Sequence, residues 1–184
     1  MPLAKERAYT VQDIYDLPDG ERAELIDGVM YDMATPSRQH QRISMLLSTT
    51  INNYISSKKG NCEVYAAPFA VYLNQDDYNY FEPDITVVCD SSKLDDKGCQ
   101  GAPDWIIEIV SPTTQARDYG IKLFKYRMAG VREYWIVDPR ENRIAVYDFE
   151  NENMYEPYTF SDKVPVGIYN GDLQIDFSEL KGSL

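Results

Sequence analysis

Trp105-Ile106-Ile107-Glu108-Ile109-Val110 reads as a strand buried on both faces, interrupted by one charge. A short continuous apolar run of this kind fits the interior of a sheet covered on both sides. Glu108 is the exception that needs a cause. An ionised carboxylate buried without a partner is costly, by about several kcal/mol even after relaxation, and the usual compensation is a metal ion or a fixed cation. Asp84 sits in a similar setting within Pro83-Asp84-Ile85-Thr86-Val87-Val88, and Lys122 lies on the helical segment that follows Glu108. Two strand acids and a nearby lysine form the pattern of a metal-dependent phosphodiesterase centre.

Strand periodicity places Ile106, Glu108 and Val110 on one face, and Asp84, Thr86 and Val88 on one face of the earlier strand. If the two strands pair, both acids can meet one ion. Magnesium takes oxygen ligands and keeps sites open for water and phosphate, which suits an in-line displacement. Asp118, Lys122 and Lys125 follow at steps of four and three, so they share a helix stripe, with Tyr119, Leu123 and Tyr126 on an adjacent apolar one. That stripe could direct Lys122 towards the acids. The competing reading is an ordinary Asp118–Lys122 surface pair, worth a few tenths of a kcal/mol.

Other polar residues carry weaker signals. Glu24 could be a third acid, but a solvent-facing hairpin carboxylate is the favoured reading. His40, the only histidine, stands beside Arg38 and Arg42 and could touch phosphate or orient a water; as an exposed side chain it would do neither. No HExxH, Walker-type loop or GxSxG occurs, which argues against a zinc protease, a nucleoside triphosphatase and an α/β-hydrolase.

The net charge of −12 speaks against a broad nucleic-acid surface, which is normally basic. The distribution softens this. Arg117, Lys122, Lys125, Arg127 and Arg132 place five of the 18 basic residues within residues 117–132, either as a local patch or as the coat of a solvated helix. An apolar content of 43% and 15 tyrosines mark an ordinary globular chain with one domain spanning residues 1–184. No run approaches the roughly 18 apolar residues of a membrane span, and Met1–Arg7 lacks a signal-peptide core. Cys62, Cys89 and Cys99 are odd in number and read as reduced thiols of a cytoplasmic protein.

Thr10 to Leu17 predicts a short capped helix, and residues 23–31 a hairpin turning at Asp27-Gly28. Ile43, Leu46, Leu47, Ile51, Tyr54 and Ile55 predict one long helix over 37–57, ended by Gly60. Strands are expected at 62–66, 69–73, 84–89, 104–110, 133–137, 143–149, 154–160 and 172–175. A helix capped by Thr113 or Thr114 should reach Ala129, closed by Gly130. Residues 74–82 read as a polar turn and 91–101 as a loop or short helix.

Several of these blocks together resemble a known family. They are Glu24-Leu25-Ile26-Asp27-Gly28, Pro83-Asp84-Ile85, Glu108-Ile109-Val110-Ser111-Pro112-Thr113, Asp118-Tyr119-Gly120-Ile121-Lys122 with Tyr126, and Ala129-Gly130-Val131-Arg132-Glu133-Tyr134-Trp135-Ile136-Val137-Asp138-Pro139. Over roughly residues 10 to 150 the chain is similar to the Uma-type restriction endonuclease family, a branch of the PD-(D/E)XK nuclease superfamily. The resemblance implies an α/β (α+β) fold with a restriction-endonuclease-like mixed central sheet flanked by helices. It implies Asp84 and Glu108 as metal-binding acids, the Ile109 carbonyl as a further ligand, and Mg (or Mn) as cofactor. Val110 stands where the superfamily lysine is expected, and Lys122 fits a lysine moved to the following helix. The implied activity is hydrolysis of DNA. A Tyr-rich surface and the C-terminal strands beyond residue 150 could support a homodimer, which duplex cleavage usually needs for its two active sites. RNA as substrate, or a non-catalytic interaction protein retaining the fold, are the alternatives.

Overall fold

The apolar run at Trp105 lies at the centre of a six-stranded sheet in a computed structural model of the chain, which describes residues 8–151 and 155–181. Thr10 starts α1 (Val11–Tyr15), its N–H donating to Asp13 Oδ2 at 2.8 Å. Strands β1 (Ala23–Ile26) and β2 (Val29–Asp32) form the expected hairpin. Its turn residues Asp27 and Gly28 both take positive φ, +51° and +76°, as a two-residue turn demands. Helix α2 (Arg38–Lys58) starts at Ser37, whose Oγ accepts the His40 N–H at 3.1 Å. It buries Ile43, Leu47, Ile51 and Ile55. Lys59, rather than Gly60, takes the left-handed closing position.

Next come β3 (Glu63–Ala66), β4 (Val71–Tyr72), β5 (Ile85–Val88), β6 (Leu94–Asp95), β7 (Gly98–Gln100) and β8 (Trp105–Ile109). Helix α3 (Gln115–Arg117) runs through a π-helical turn, Asp118–Lys122, into α4 (Leu123–Ala129), which Gly130 closes at φ +95°. Strands β9 (Glu133–Asp138), β10 (Arg143–Asp148), β11 (Glu156–Thr159), β12 (Lys163–Pro165), β13 (Gln174–Asp176) and helix α5 (Ser178–Lys181) complete the order. Met1–Arg7 and Met154, on which two expectations fall, lie outside the described residues.

The main sheet has the order β11-β10-β9-β8-β5-β3. Only β8 and β9 run parallel, joined by the α3–α4 crossover that a parallel pair requires. The sheet is therefore mixed and flanked by helices, as expected. One face carries Ile85, Val87, Trp105, Ile107, Ile109 and Trp135 against Ile43, Leu47 and Ile51 of α2 and the C-terminal segment through Phe177. The other carries Val88, Ile106, Val110, Tyr134 and Ile136 against Tyr126 of α4 and Phe81. Alternation along β8 thus divides its side chains between two cores.

Two stretches depart from expectation. Within 74–82, Tyr80 and Phe81 are buried and bridge to Leu25 and Val71. Within 91–101, Ser91–Lys93 do form a short 3₁₀ helix as allowed for, but β6 and β7 after it form a small sheet with β4. Both were read from their polar residues, whereas long-range pairing decides their conformation. The thiol reading is also corrected. Cys62 and Cys89 form a disulfide, and only Cys99 is free and buried. The cause is register: β3 and β5 pair Glu63 with Val88, which sets the flanking cysteines opposite each other. The pairing removes the ground for inferring a reducing, cytoplasmic setting from the cysteines. Among the described residues, no helix is long and apolar enough to cross a membrane.

Candidate active site

Strand register carries the two acids to one place. β5 and β8 are antiparallel, with Ile85 opposite Ile107 and Thr86 opposite Ile106, so the next step outward sets Asp84 beside Glu108. The period of two then turns Glu108 away from the α2 face, together with Ile106 and Val110. Asp84 is held from two sides. Its Oδ2 accepts the Ile109 N–H at 2.7 Å and lies 3.1 Å from His40 Nε2. His40 is therefore an Asp84 partner on the first turn of α2, not the idle exposed histidine of the plainer reading.

Lys122 is fully inside. Its Nζ lies 2.8 Å from Glu108 Oε1, 2.8 Å from Glu24 Oε1 and 3.7 Å from Asp118 Oδ1. Relative exposures are 3% for Lys122, 4% for Glu108, 1% for Glu24 and 1% for Asp118. The surface-pair reading of Asp118–Lys122 is thereby replaced by a buried cluster. The reading of Glu24 as solvent-facing is also corrected: β1 is buried at all four positions, its edge bridged at Leu25 by Tyr80 and Glu24 itself engaged by Lys122 and the Glu82 N–H. The π turn at Asp118–Lys122 is a local widening of the kind that often marks functional sites. After it Tyr126 turns inward, its hydroxyl donating to Glu108 Oε1 at 2.8 Å. Lys125 leaves the expected stripe and pairs with Asp27.

Sequence reasoning missed Tyr126 and Asp118 as members of this cluster. The signal was present: Asp118, Lys122 and Tyr126 recur every four residues, one helix face that begins with an acid and ends with a hydroxyl.

Charge counting defines what the cluster needs. Three carboxylates, Glu24, Glu108 and Asp118, face one ammonium, leaving two negative charges when all are ionised. Burial pushes the Glu108 carboxyl well above its ordinary range; Lys122 opposes this, while Asp118, Asp84 and Glu24 reinforce it. Burial likewise raises Asp118, again against the pull of Lys122. For Lys122, burial disfavours the charge, but Glu108, Glu24 and Asp118 outweigh it and raise the pKa, so the ammonium stays protonated.

These directions make stability depend on pH. Glu108 and Asp118 titrate above their ordinary values of 4.5 and 3.8 in the folded chain. The folded state thus keeps protons that the unfolded chain has released, and stability falls as pH rises through that window. Urea unfolding in metal-free buffer between about pH 5 and about pH 7.5 should show this decline, and Glu108→Gln should flatten it. An equally steep decline in the variant would contradict the assignment.

Asp84, Glu108, Lys122 and His40 line a cavity of about 560 Å³. Among the described residues, no group of three or more His, Cys, Asp or Glu side chains forms a ready-made metal cage, and Lys122 bridges Glu24 and Glu108 directly. The donor set still suits a hard cation. Magnesium sites commonly use one or two carboxylates and complete their shell with water and substrate. Asp84 and Glu108 are such a pair, with Ile109 on the same wall. Asp118 Oδ1 is buried without a hydrogen-bond partner, its nearest cation being the Lys122 ammonium at 3.7 Å.

The basic stretch does not form a patch. Lys122 is buried, Lys125 pairs with Asp27, and Arg132 pairs with Asp104 at 3.0 Å and Glu150 at 2.8 Å. Arg117 instead lines the cavity.

Comparison with known proteins agrees with this architecture. Two Synechocystis proteins, named only as uncharacterized proteins slr1290 and sll1609, are 30% and 25% identical over 128 and 130 residues, each match covering 69% of this chain. The match spans 66% of the first relative, slightly under two thirds of its length, and 72% of the second. A crystal structure of a "putative nuclease belonging to DUF820" from Anabaena variabilis has a TM-score of 0.74 at 22% identity, covering 94% of this chain and 97% of that one. At that identity the likeness establishes the fold. The family model described as "Uma2: Putative restriction endonuclease" matches residues 11–174, further than the span of motifs to about residue 150, and the chain belongs to that family.

Proposed function

We propose that the chain is a divalent-metal-dependent endonuclease that hydrolyses DNA phosphodiester bonds. The observation that carries this reading is the placement of Asp84, one residue before β5, and Glu108 of the neighbouring β8 on one cavity wall, with the Lys122 ammonium 2.8 Å from Glu108. Asp84 and Glu108, with the Ile109 carbonyl, would hold magnesium or manganese. When bound, such an ion polarises a phosphoryl oxygen and lowers the pKa of its water.

The chain's own groups do the rest. Lys122 holds a fixed positive charge where negative charge develops on the phosphate, and such preorganised charge is a large catalytic term. Glu24 and Asp118 keep that ammonium protonated and in place. His40 and the Ile109 N–H orient Asp84. Tyr126 orients Glu108. Removing such a supporting hydrogen bond from a metal ligand typically lowers metal affinity about 10–100-fold. Tyr126→Phe should therefore weaken manganese binding by that order while the fold persists, as read by calorimetric titration; unchanged affinity would separate Tyr126 from the site.

A second reading has one observation in its favour. Lys122 already bridges Glu24 and Glu108, so the cluster is partly compensated without metal, as in an interaction protein that keeps the fold alone. Incubation of the purified chain with supercoiled plasmid and with single-stranded DNA distinguishes the two. Nicking that requires magnesium or manganese and stops with chelator supports the nuclease. Intact DNA in both metals, with the protein folded, favours the second reading.

A further inference from the structure

Among the described residues, the fold leaves two cations of the basic stretch without an acid, Arg117 and the exposed Arg127, and of these Arg117 lines the cavity. Among the described residues no ion pair or hydrogen bond engages its guanidinium, and its buried Nε has no partner. Its neighbours in sequence behave differently: Lys122, Lys125 and Arg132 each meet at least one carboxylate. The chain carries 30 acidic residues against 18 basic ones, so an unpaired guanidinium is not explained by a lack of carboxylates. Nor is it in open solvent. Arg117 lines the same cavity as Asp84, Glu108 and Lys122, with its Cζ 4.7 Å from the centroid of the Tyr31 ring.

The backbone fixes it there. The turn after β8 is closed by the Ser111 N–H donating to Thr114 Oγ1 at 3.1 Å, and the Arg117 N–H donates to the Thr114 carbonyl at 2.8 Å. Arg117 is thus the last residue of α3, directly before the π turn that carries Asp118 and Lys122. One continuous segment sets both cations. Arg140, on the same wall, is engaged by Gln115 at 3.3 Å and lies 4.0 Å from Asp138. Arg117 remains as the unengaged fork. A guanidinium matches a phosphate with two parallel hydrogen bonds. Packing against Tyr31 restrains it beforehand, so less side-chain freedom is lost on binding.

We propose that Arg117 is a phosphate clamp that holds a backbone phosphate of the nucleic-acid strand, beside the phosphodiester presented to Asp84 and Glu108. This rests on the nuclease reading of the same site. Its work is binding and register; it takes no part in bond breaking.

Fluorescence anisotropy tests it, with a short labelled DNA duplex and its single strand titrated at several salt concentrations in chelator, where no cleavage competes. Arg117→Ala should weaken binding about tenfold and make the salt slope shallower by about 0.9 on duplex or about 0.7 on single strand, the contribution of one phosphate contact. Arg117→Lys should keep the slope and recover part of the affinity, because charge remains while the fork is lost. Thermal melting of both variants should match the wild type. Wild-type affinity and slope in Arg117→Ala, or no binding by the wild type, would overturn the clamp. Cleavage separates it from the reading beneath it. Arg117-dependent binding without cleavage in magnesium or manganese keeps the clamp and removes the nuclease. Metal-dependent cleavage indifferent to Arg117→Ala at every salt concentration does the reverse.

Discussion

Asp84→Asn and Glu108→Gln should each lower metal-dependent DNA cleavage by at least about 10²–10³-fold, the scale on which single electrostatic contacts to a transition state operate. Both substitutions preserve shape. The amide introduced by Asp84→Asn would keep a side-chain carbonyl for the Ile109 N–H, and that introduced by Glu108→Gln an acceptor for the Tyr126 hydroxyl, so the hydrogen bonds at 2.7 Å and 2.8 Å have counterparts. What is lost is negative charge. The two variants therefore report on charge rather than packing. For Glu108→Gln the structure makes a second demand. With all three carboxyls ionised the buried cluster has two excess negative charges, and removing one relieves a burial penalty that already raises the Glu108 pKa. Activity should fall while metal-free stability holds or rises at neutral pH. Cleavage at the wild-type rate in either variant would remove that residue from the mechanism.

Lys122→Met should destabilise the protein by about 3–5 kcal/mol at neutral pH and abolish cleavage. Methionine fills the volume of the stem but leaves Glu24, Glu108 and Asp118 facing one another without the ammonium that now lies 2.8 Å, 2.8 Å and 3.7 Å from them. Uncompensated buried charge is what makes breaking such a pair so damaging. The deficit should shrink as pH falls, because Glu108 and Asp118, whose pKa values burial already raises, can then neutralise themselves by taking a proton. Urea unfolding at neutral and acidic pH reads the effect, and cleavage is assayed well below the variant's melting temperature. A variant as stable as the wild type at neutral pH would contradict the burial and charge balance described for the cluster.

The parts of this site that were legible in the sequence are those fixed by the period of a strand. Glu108 stands out because its neighbours are apolar, and Asp84 because its strand repeats the pattern; the register of β5 on β8 then sets them side by side. The direction of Lys122 was legible, but its depth was not. A local Asp118–Lys122 spacing looks the same on a surface helix as in a buried one, and only the approach of Lys122 to Glu24 on β1 distinguishes them. Glu24 was misread for a related reason. Hairpin alternation assigns one face of β1 to solvent, yet Lys122 and the Glu82 N–H, both distant in sequence, meet Glu24 there. The disulfide was illegible because Cys62 and Cys89 become neighbours only through the β3–β5 pairing. Local periodicity reveals which face a residue takes, and tertiary pairing determines what lies across from it.

The nuclease reading of this site requires that Asp84 and Glu108 jointly hold one divalent cation. Calorimetric titration of manganese into the metal-free chain tests this most directly. The wild type should take up an ion at a site that Asp84→Asn and Glu108→Gln each weaken by more than the about 10–100-fold typical of losing a supporting hydrogen bond. No uptake by the wild type, or wild-type affinity in either variant, would contradict it.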